Sequence, residues 1–251
     1  MIIVLSCPRM GTTFYCEKIA KEKNYECLYE YFPDSYLNAD GIRTTIGVKR
    51  QWKAKGKYLE QNTKNVIKIF PFHLTDGPDK SLLKKLKKIP EVEFHLLLRK
   101  NLYEAIESNY IVDITNNPFK NYTKEMFIPY DYDTVNNYIF KYLSMIMFLK
   151  EIKQELSKEN NIKLFFSETF FSKNKKQKRK VNLEKPLNIP KFKIDDNLNI
   201  ILNDKILKRE DINLYYNKYY SVSNKLENLK LKYFKESENY TYIDDFKNWK
   251  D

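Results

Sequence analysis

Four short apolar runs along the chain predict the strands of a parallel sheet. Each run is rich in Val, Ile, Leu or Phe and is nearly continuous, which is typical of strands buried on both faces. The runs are Ile2–Leu5, Val66–Phe70, Val92–Leu98 and Ile162–Phe166. Helical periodicity lies between them, over about Thr12–Lys23, about Thr45–Gln61, Ser81–Ile89, Asn101–Ile111 and Tyr132–Asn160. This alternation predicts an α/β fold, with a central parallel sheet flanked by helices in three layers.

The pattern weakens towards the end of the chain. A charged loop is expected at Lys173–Lys180, and a Tyr- and Lys-rich helical stretch from about Glu210 to Lys235. No internal repeat or clean boundary interrupts residues 1–251, so we expect a single domain whose part after about residue 172 has few assigned elements.

Composition limits the class of ligand and the cellular compartment that we expect for this protein. The formal charge of +12 favours an anionic ligand, whether nucleotide, phosphate, sulfate, acidic glycan or nucleic acid. Three cysteines without metal-ligand spacing indicate a reducing compartment. No apolar run is long enough to span a membrane, and Met1–Cys7 lacks the basic flank of a signal peptide. We therefore expect a soluble, cytoplasmic protein with no membrane partner.

The segment SCPRMGTT, Ser6–Thr13, joins the first strand to the first helix and predicts a phosphate-binding loop. The start of a helix offers unpaired amide groups and the positive end of its dipole. Gly11 allows close backbone approach, Thr12 and Thr13 can cap the helix, and Arg9 can grip an anion. The pattern G-x-x-x-x-G-K-[ST] is absent, which disfavours ATP or GTP hydrolysis of the common type.

This loop resembles that of the PAPS-dependent sulfotransferases, commonly P-[RK]-[SG]-G-T-[TS], which binds the 5'-phosphosulfate of 3'-phosphoadenosine 5'-phosphosulfate (PAPS). The family also holds the 3'-phosphate with a basic residue at a later strand end and a Ser eight residues beyond. Arg99 and Lys100 follow the third predicted strand, and Ser108 lies on the next helix. Lys100 has the family spacing, whereas Arg99 is favoured because a guanidinium makes forked bonds to phosphate.

The resemblance implies a P-loop-like fold and transfer of a sulfuryl group from PAPS to a hydroxyl acceptor, with PAP as product. No metal is required. The cofactor phosphates would contact the loop residues Arg9, Met10, Gly11, Thr12 and Thr13, together with Arg99, Lys100 and Ser108. The acceptor would be a sugar or another small molecule, in a pocket shaped by the insertions at Thr45–Gln61 and Asn116–Asp133.

Sulfuryl transfer needs cations near the bridging oxygen and a base for the acceptor proton. Arg9 matches the family's cationic loop position, and Lys68 matches a Lys that many members carry on this strand. A Lys whose alkyl stem lies on the sheet and whose amine reaches water would account for Lys68 equally well. Glu30, 21 residues after Arg9, has a spacing similar to the glutamate base of the tyrosylprotein branch. His73 is the other candidate base. It lies five residues after Lys68, whereas the cytosolic branch of the family has its His two residues after the strand Lys.

The resemblance is weaker elsewhere. Glu168 could correspond to the family's Tyr-Glu-Asp segment near the adenine, but Ser167 replaces the Tyr, so the adenine stack is unassigned. Two other classes remain open. A metal-dependent nucleotide or small-molecule kinase with an atypical loop needs an acidic residue at a strand end, and the strand ends here are basic. A nucleic-acid-binding protein fits the charge but leaves the two phosphate motifs unexplained.

Overall fold

The computed structural model describes residues 1–29, 36–37, 43–44, 48–75, 81–115, 126–128, 131–158, 161–170, 181–183 and 191–211. The helices are α1 Thr12–Lys23, α2 Val48–Gln61, α3 Pro71–Thr75, α4 Leu82–Leu86, α5 Leu102–Thr115 and α6 Tyr132–Leu156. The strands are β1 Ile2–Ser6, β2 Glu26–Cys27, β3 Tyr36–Leu37, β4 Arg43–Thr44, β5 Asn65–Ile69, β6 Glu93–Leu98, β7 Met126–Ile128, β8 Asn161–Phe166, β9 Val181–Leu183, β10 Lys193–Ile194, β11 Ile200–Leu202 and β12 Lys205–Ile206.

Five parallel strands form the central sheet in the order β2-β5-β1-β6-β8. Its four longer strands confirm the four predicted runs to within one residue at each end. The edge strand β2 was not predicted because two residues carry no readable pattern. β1 lies at the centre, with β5 on one side and β6 on the other. The strand order therefore reverses beside the end of β1, since the chain adds β2 and β5 on one side of it and β6 and β8 on the other. Parallel α/β sheets bind ligands at such a point.

Helices cover both faces of the sheet, which confirms the three-layer, P-loop-like α/β prediction. On one face, α1 packs on an apolar cluster that includes Ile2, Val4, Val66 and Leu97. On the other face, buried residues of α2, α4, α5 and α6 join one large core with alternate residues of the same strands, among them Ile3, Leu5, Ile67 and Leu96. The period of two along each strand therefore divides the side chains between two cores.

A series of side-chain hydrogen bonds connects α1 to the sheet. The Tyr15 hydroxyl lies 2.9 Å from Nδ1 of His95, and Nε2 of His95 lies 3.4 Å from a Glu93 carboxylate oxygen. The Glu93 carboxylate favours the proton on Nε2, so Nδ1 accepts from Tyr15. Burial lowers the pKa of His95, while Glu93 opposes that shift. These hydrogen bonds fix the orientation of the helix that follows the predicted phosphate loop.

The predicted helices differ from the observed ones mainly at their ends. α1 has the predicted bounds, and α5 continues four residues beyond Ile111. α4 is shorter than the predicted Ser81–Ile89, in keeping with Pro90, which disfavours helical geometry in the residue before it. The short helix α3 was not predicted.

Several sequence predictions lie outside the described residues. They are Glu30, the insertion residues 45–47, 116–125 and 129–130, the charged loop at 173–180 and the Tyr-rich stretch beyond residue 211. The remaining described strands form three small sheets, β3 with β4, β7 with β9, and β10 with β11 and β12. No helix in the described ranges is both long enough and apolar enough to cross a membrane.

Truncation of Leu96 to Ala tests the larger core. Leu96 is fully buried on the central strand β6. We expect Leu96→Ala to reduce the free energy of unfolding by about 2–5 kcal/mol, because it removes buried methyl groups and leaves a cavity. Ile206→Ala is the matched control, since Ile206 is 51% exposed and its truncation should cost far less. Urea unfolding measures both, and equal losses would contradict this packing.

Candidate anion-binding site

The loop between β1 and α1 has a backbone that leaves the start of the helix uncovered. Gly11 is the N-cap residue, at φ 80°, and no side chain caps the helix there. Arg9 also has a positive φ, 59°, which is unfavourable for a residue with a side chain and needs support from neighbouring contacts. The first amide groups of α1 therefore point out of the sheet edge without a side-chain cap, as an anion would require.

The expected capping role of Thr12 is wrong. Its hydroxyl donates to Oγ of Ser6 over 2.9 Å, and Ser6 in turn donates to the carbonyl oxygen of Leu97 over 2.7 Å. These bonds tie the helix start to β1 and β6. Thr13 is exposed. The Met10 side chain is fully buried in the larger core, so only the backbone of Met10 can face a ligand.

The two predicted phosphate motifs meet in the structure. Nε of Arg9 donates to Oγ of Ser108 over 3.1 Å, although the residues are 99 positions apart. Ser108 lies on α5 and is 5% exposed. A guanidinium from the first motif and a hydroxyl from the second are thus directly paired at the carboxyl edge of the sheet.

Tyr142 on α6 binds the backbone of the loop. Its hydroxyl donates to the carbonyl oxygen of Pro8 over 2.9 Å and lies 3.4 Å from that of Ala105. Burial raises the pKa of Tyr142 well above its usual value, so the phenol stays protonated and keeps donating. The positive charges of Arg9 and Arg99 both act on this pKa in the opposite direction.

The other two predicted phosphate ligands differ in their surroundings. Nη1 of Arg99 lies 3.5 Å from Oε2 of Glu104, and 22% of the Arg99 side chain is exposed. Lys100 is more open; its amine lies 3.6 Å from Asp196 and 4.4 Å from the centre of the Phe166 ring. Arg99 is therefore the more enclosed of the two cations, in keeping with the preference for it.

Glu168 lies at the same edge of the sheet. It belongs to the short 3-10 turn Ser167–Thr169 that follows β8, and Oε1 accepts a hydrogen bond from the Asn101 backbone amide at 3.1 Å. This bond joins the end of β8 to the start of α5. Glu168 therefore organises the segment that carries Arg99 and Lys100, a role that sequence reasoning missed.

Lys68 is buried in the sheet at 6% exposure, on the α1 face. Its amine lies 5.1 Å from the centre of the Phe70 ring, at the carboxyl end of β5. A buried cation stacked on an aromatic ring is partly stabilised in place. The side chain extends towards the sheet edge that carries the loop.

His73 is packed as a core residue. It is 3% exposed, accepts a hydrogen bond at Nδ1 from the Phe70 amide at 3.2 Å, and lies against the Trp52 and Phe72 rings. These contacts support a structural role and lie on the face opposite α1. Its role as a base remains a prediction, as does that of Glu30, which lies outside the described ranges.

Comparison of this chain with protein-family models, with curated proteins and with solved structures finds no match. Within the described part of the chain, no group of three or more His, Cys, Asp and Glu side chains is arranged to hold a metal ion.

Removal of the Tyr142 hydroxyl tests the support beneath the loop. We expect Tyr142→Phe to lower the free energy of unfolding by about 1 kcal/mol, because the Pro8 carbonyl loses a buried hydrogen bond. Amide hydrogen exchange should become faster at the loop residues Arg9–Thr12 and remain unchanged in β8. Mass-spectrometric exchange on both proteins measures this. Unchanged exchange at the loop would contradict the anchoring role.

Proposed function

We propose that this protein is a sulfotransferase that moves the sulfuryl group of PAPS to a hydroxyl acceptor. The observation that carries the proposal is the direct Arg9–Ser108 contact. PAPS has a 3'-phosphate and a 5'-phosphosulfate on one ribose, so its site must combine two phosphate contacts. The neighbouring strands β1 and β6 bring the two segments to one edge, and the Arg9–Ser108 bond joins residues that the family resemblance assigns to the two phosphates.

The 5'-phosphosulfate would lie at the start of α1, against the amides of Gly11, Thr12 and Thr13. The hydrogen bonds there are charge-assisted, and such bonds are stronger than neutral ones. The 3'-phosphate would lie against Arg99, Lys100 and Ser108. Ser108 accepts from Arg9, and no described residue accepts the Ser108 hydroxyl proton, which leaves that proton to bond a phosphate oxygen.

In the proposed reaction, an acceptor oxygen attacks sulfur in line, and the bond between sulfur and the bridging oxygen of the 5'-phosphate breaks. PAP leaves with the negative charge, which Arg9 and Lys68 would neutralise. The acceptor's proton goes to a base, for which Glu30 and His73 remain the candidates. The acceptor would be a sugar or another hydroxylated small molecule.

Binding of PAP, the desulfated product, is the direct test. We expect PAP at about a hundred times its Kd to stabilise the folded protein by about 2.7 kcal/mol. That raises the melting temperature by roughly 5–10 °C for a domain of this size. AMP, which lacks the 3'-phosphate, should give a smaller shift at the same concentration. Differential scanning fluorimetry with PAP, AMP and Mg·ATP measures the three responses.

Variants separate the two phosphate contacts. We expect Arg99→Ala and Ser108→Ala each to weaken PAP about 10- to 100-fold while changing AMP little, since a lost charge-assisted bond is worth about 1.5–3 kcal/mol. Arg209→Ala and Ser157→Ala are the control variants. Arg209 also pairs with a glutamate, Ser157 is the residue that ends α6, and both are exposed and lie outside α5. Melting of each variant without ligand shows that it is folded.

Two results would overturn the proposal. One is an equal response to PAP and AMP that Ser108→Ala leaves unchanged. The other is stabilisation by a different ligand in place of PAP. A response to Mg·ATP alone would identify a kinase, and a response to arbitrary DNA or RNA with a steep salt dependence would identify a nucleic-acid-binding protein.

A further inference from the structure

One buried histidine lies in the contact between α1 and the sheet. His95 is 4% exposed, and the Tyr15 hydroxyl on α1 lies 2.9 Å from its Nδ1. Tyr15 is 1% exposed, and its ring lies against the rings of Phe165 and Phe170, with centres 5.4 and 5.1 Å away. Within the described residues, the Tyr15 hydroxyl contacts no other hydrogen-bond acceptor. The hydroxyl proton therefore needs a neutral His95 as its acceptor.

Charged groups approach His95 from three elements. The Glu93 carboxylate, on the same strand, lies 3.4 Å from Nε2, and the Lys163 amine on β8 lies 2.6 Å from that same carboxylate oxygen. Lys23, the last residue of α1, adds a second positive charge within electrostatic range. On β1, the residue paired with His95 is the uncharged Val4. Lys163 therefore takes up part of the negative charge that would otherwise stabilise a protonated His95.

Protonation of His95 would reverse the hydrogen bond between α1 and the sheet. An imidazolium ring donates from both nitrogens, so Nδ1 would donate to the Tyr15 oxygen instead of accepting from it. The Tyr15 proton would then point among phenylalanine rings, and a buried donor without an acceptor is unfavourable. The positive charge itself would lie in a buried position, which is also unfavourable. Both effects weaken the attachment of α1.

We propose that His95 is a proton-controlled switch that releases the first turns of α1 from the sheet on acidification. The switch acts on the candidate anion site because the amide of Tyr15 donates to the Gly11 carbonyl oxygen over 3.1 Å, in the first turn of the helix. Release of Tyr15 therefore loosens the turn whose amides form that site. This inference goes beyond the proposed sulfotransferase activity and does not depend on it.

The direction of the pKa shift sets the pH range of the switch. Burial is the largest influence on the pKa of His95 and lowers it. The Glu93 carboxylate opposes this shift, whereas the charges of Lys163 and Lys23 add to it. In the unfolded chain a histidine has a pKa of about 6.5. The stabilising effect of neutral His95 is therefore fully present above about pH 6.5 and is lost as the pH falls towards the folded pKa.

Nitrogen NMR of the histidines tests the switch, because the chain has two histidines, His73 and His95. We expect neutral His95 to carry its proton on Nε2 and to titrate with a midpoint below about 6.5. Lys163→Gln should raise this midpoint by roughly 0.5 pH units, because it removes a positive charge and leaves the carboxylate to the imidazole. Glu93→Gln should lower it by a similar amount, since it removes the negative charge.

Two controls accompany the titration. Lys205→Gln also removes a lysine paired with a carboxylate, at 3.1 Å from Asp211, but on another sheet, and it should leave the His95 midpoint unchanged. The His73 signal in the same spectra should not respond to any of these variants. A purely structural His95 would show no opposite shifts in Lys163→Gln and Glu93→Gln.

Amide hydrogen exchange tests the release of α1. After correction for intrinsic exchange rates, we expect protection in Thr12–Lys23 to fall about tenfold between about pH 7 and about pH 5, as for loss of one buried hydrogen bond, and protection in α6 to fall less. His95→Gln should remove this difference between the helices, whereas His73→Gln should keep it. Lys163→Gln should move the loss of protection to higher pH, and this partly exposed position keeps the test valid if His95→Gln does not fold.

Three results would overturn the proposal. The first is a neutral His95 with its proton on Nδ1, which could not accept from Tyr15. The second is a His95 midpoint at or above about 6.5, or one that ignores both Lys163→Gln and Glu93→Gln. The third is protection of α1 that changes with pH no more than that of α6.

Discussion

The parallel pairing of β1 with β5 on one side and β6 on the other is the constraint on which the site depends. It brings the carboxyl ends of these strands to one edge, together with that of β8. Every segment with candidate phosphate chemistry follows one of these ends. The period of two along the strands divides the apolar side chains between two cores, and helices close both faces. The sheet thus fixes the site before any polar contact is made.

Polar contacts then give the loop its shape. Ser6, Thr12 and Tyr142 hold it from three directions, through β6, α1 and α6. Such support allows Arg9 to keep a positive φ, a conformation that costs free energy unless neighbouring contacts impose it. Held in this way, the Arg9 side chain meets Ser108 on α5. Arg9 is therefore the residue that connects the two motifs.

The sequence predicted the main elements because they leave a local signal. Continuous apolar runs marked β1, β5, β6 and β8, and helical spacing gave α1 its bounds. The edge strand β2 was too short to leave such a signal. Tyr142 was missed because its partner is a backbone carbonyl 134 residues away, which no sequence pattern encodes. The expected cap by Thr12 was wrong because Ser6, on a buried strand, binds the same hydroxyl.

The central claim is that one ligand spans the loop and Ser108 with two phosphates. Phosphorus NMR of PAP tests it most directly, because the 3'- and 5'-phosphates give separate signals. Our account predicts that both signals shift on binding to the unmodified protein, and that Ser108→Ala mainly reduces the shift of the 3'-phosphate. A complex in which only one phosphate signal responds, or in which Ser108→Ala affects both equally, would contradict the account.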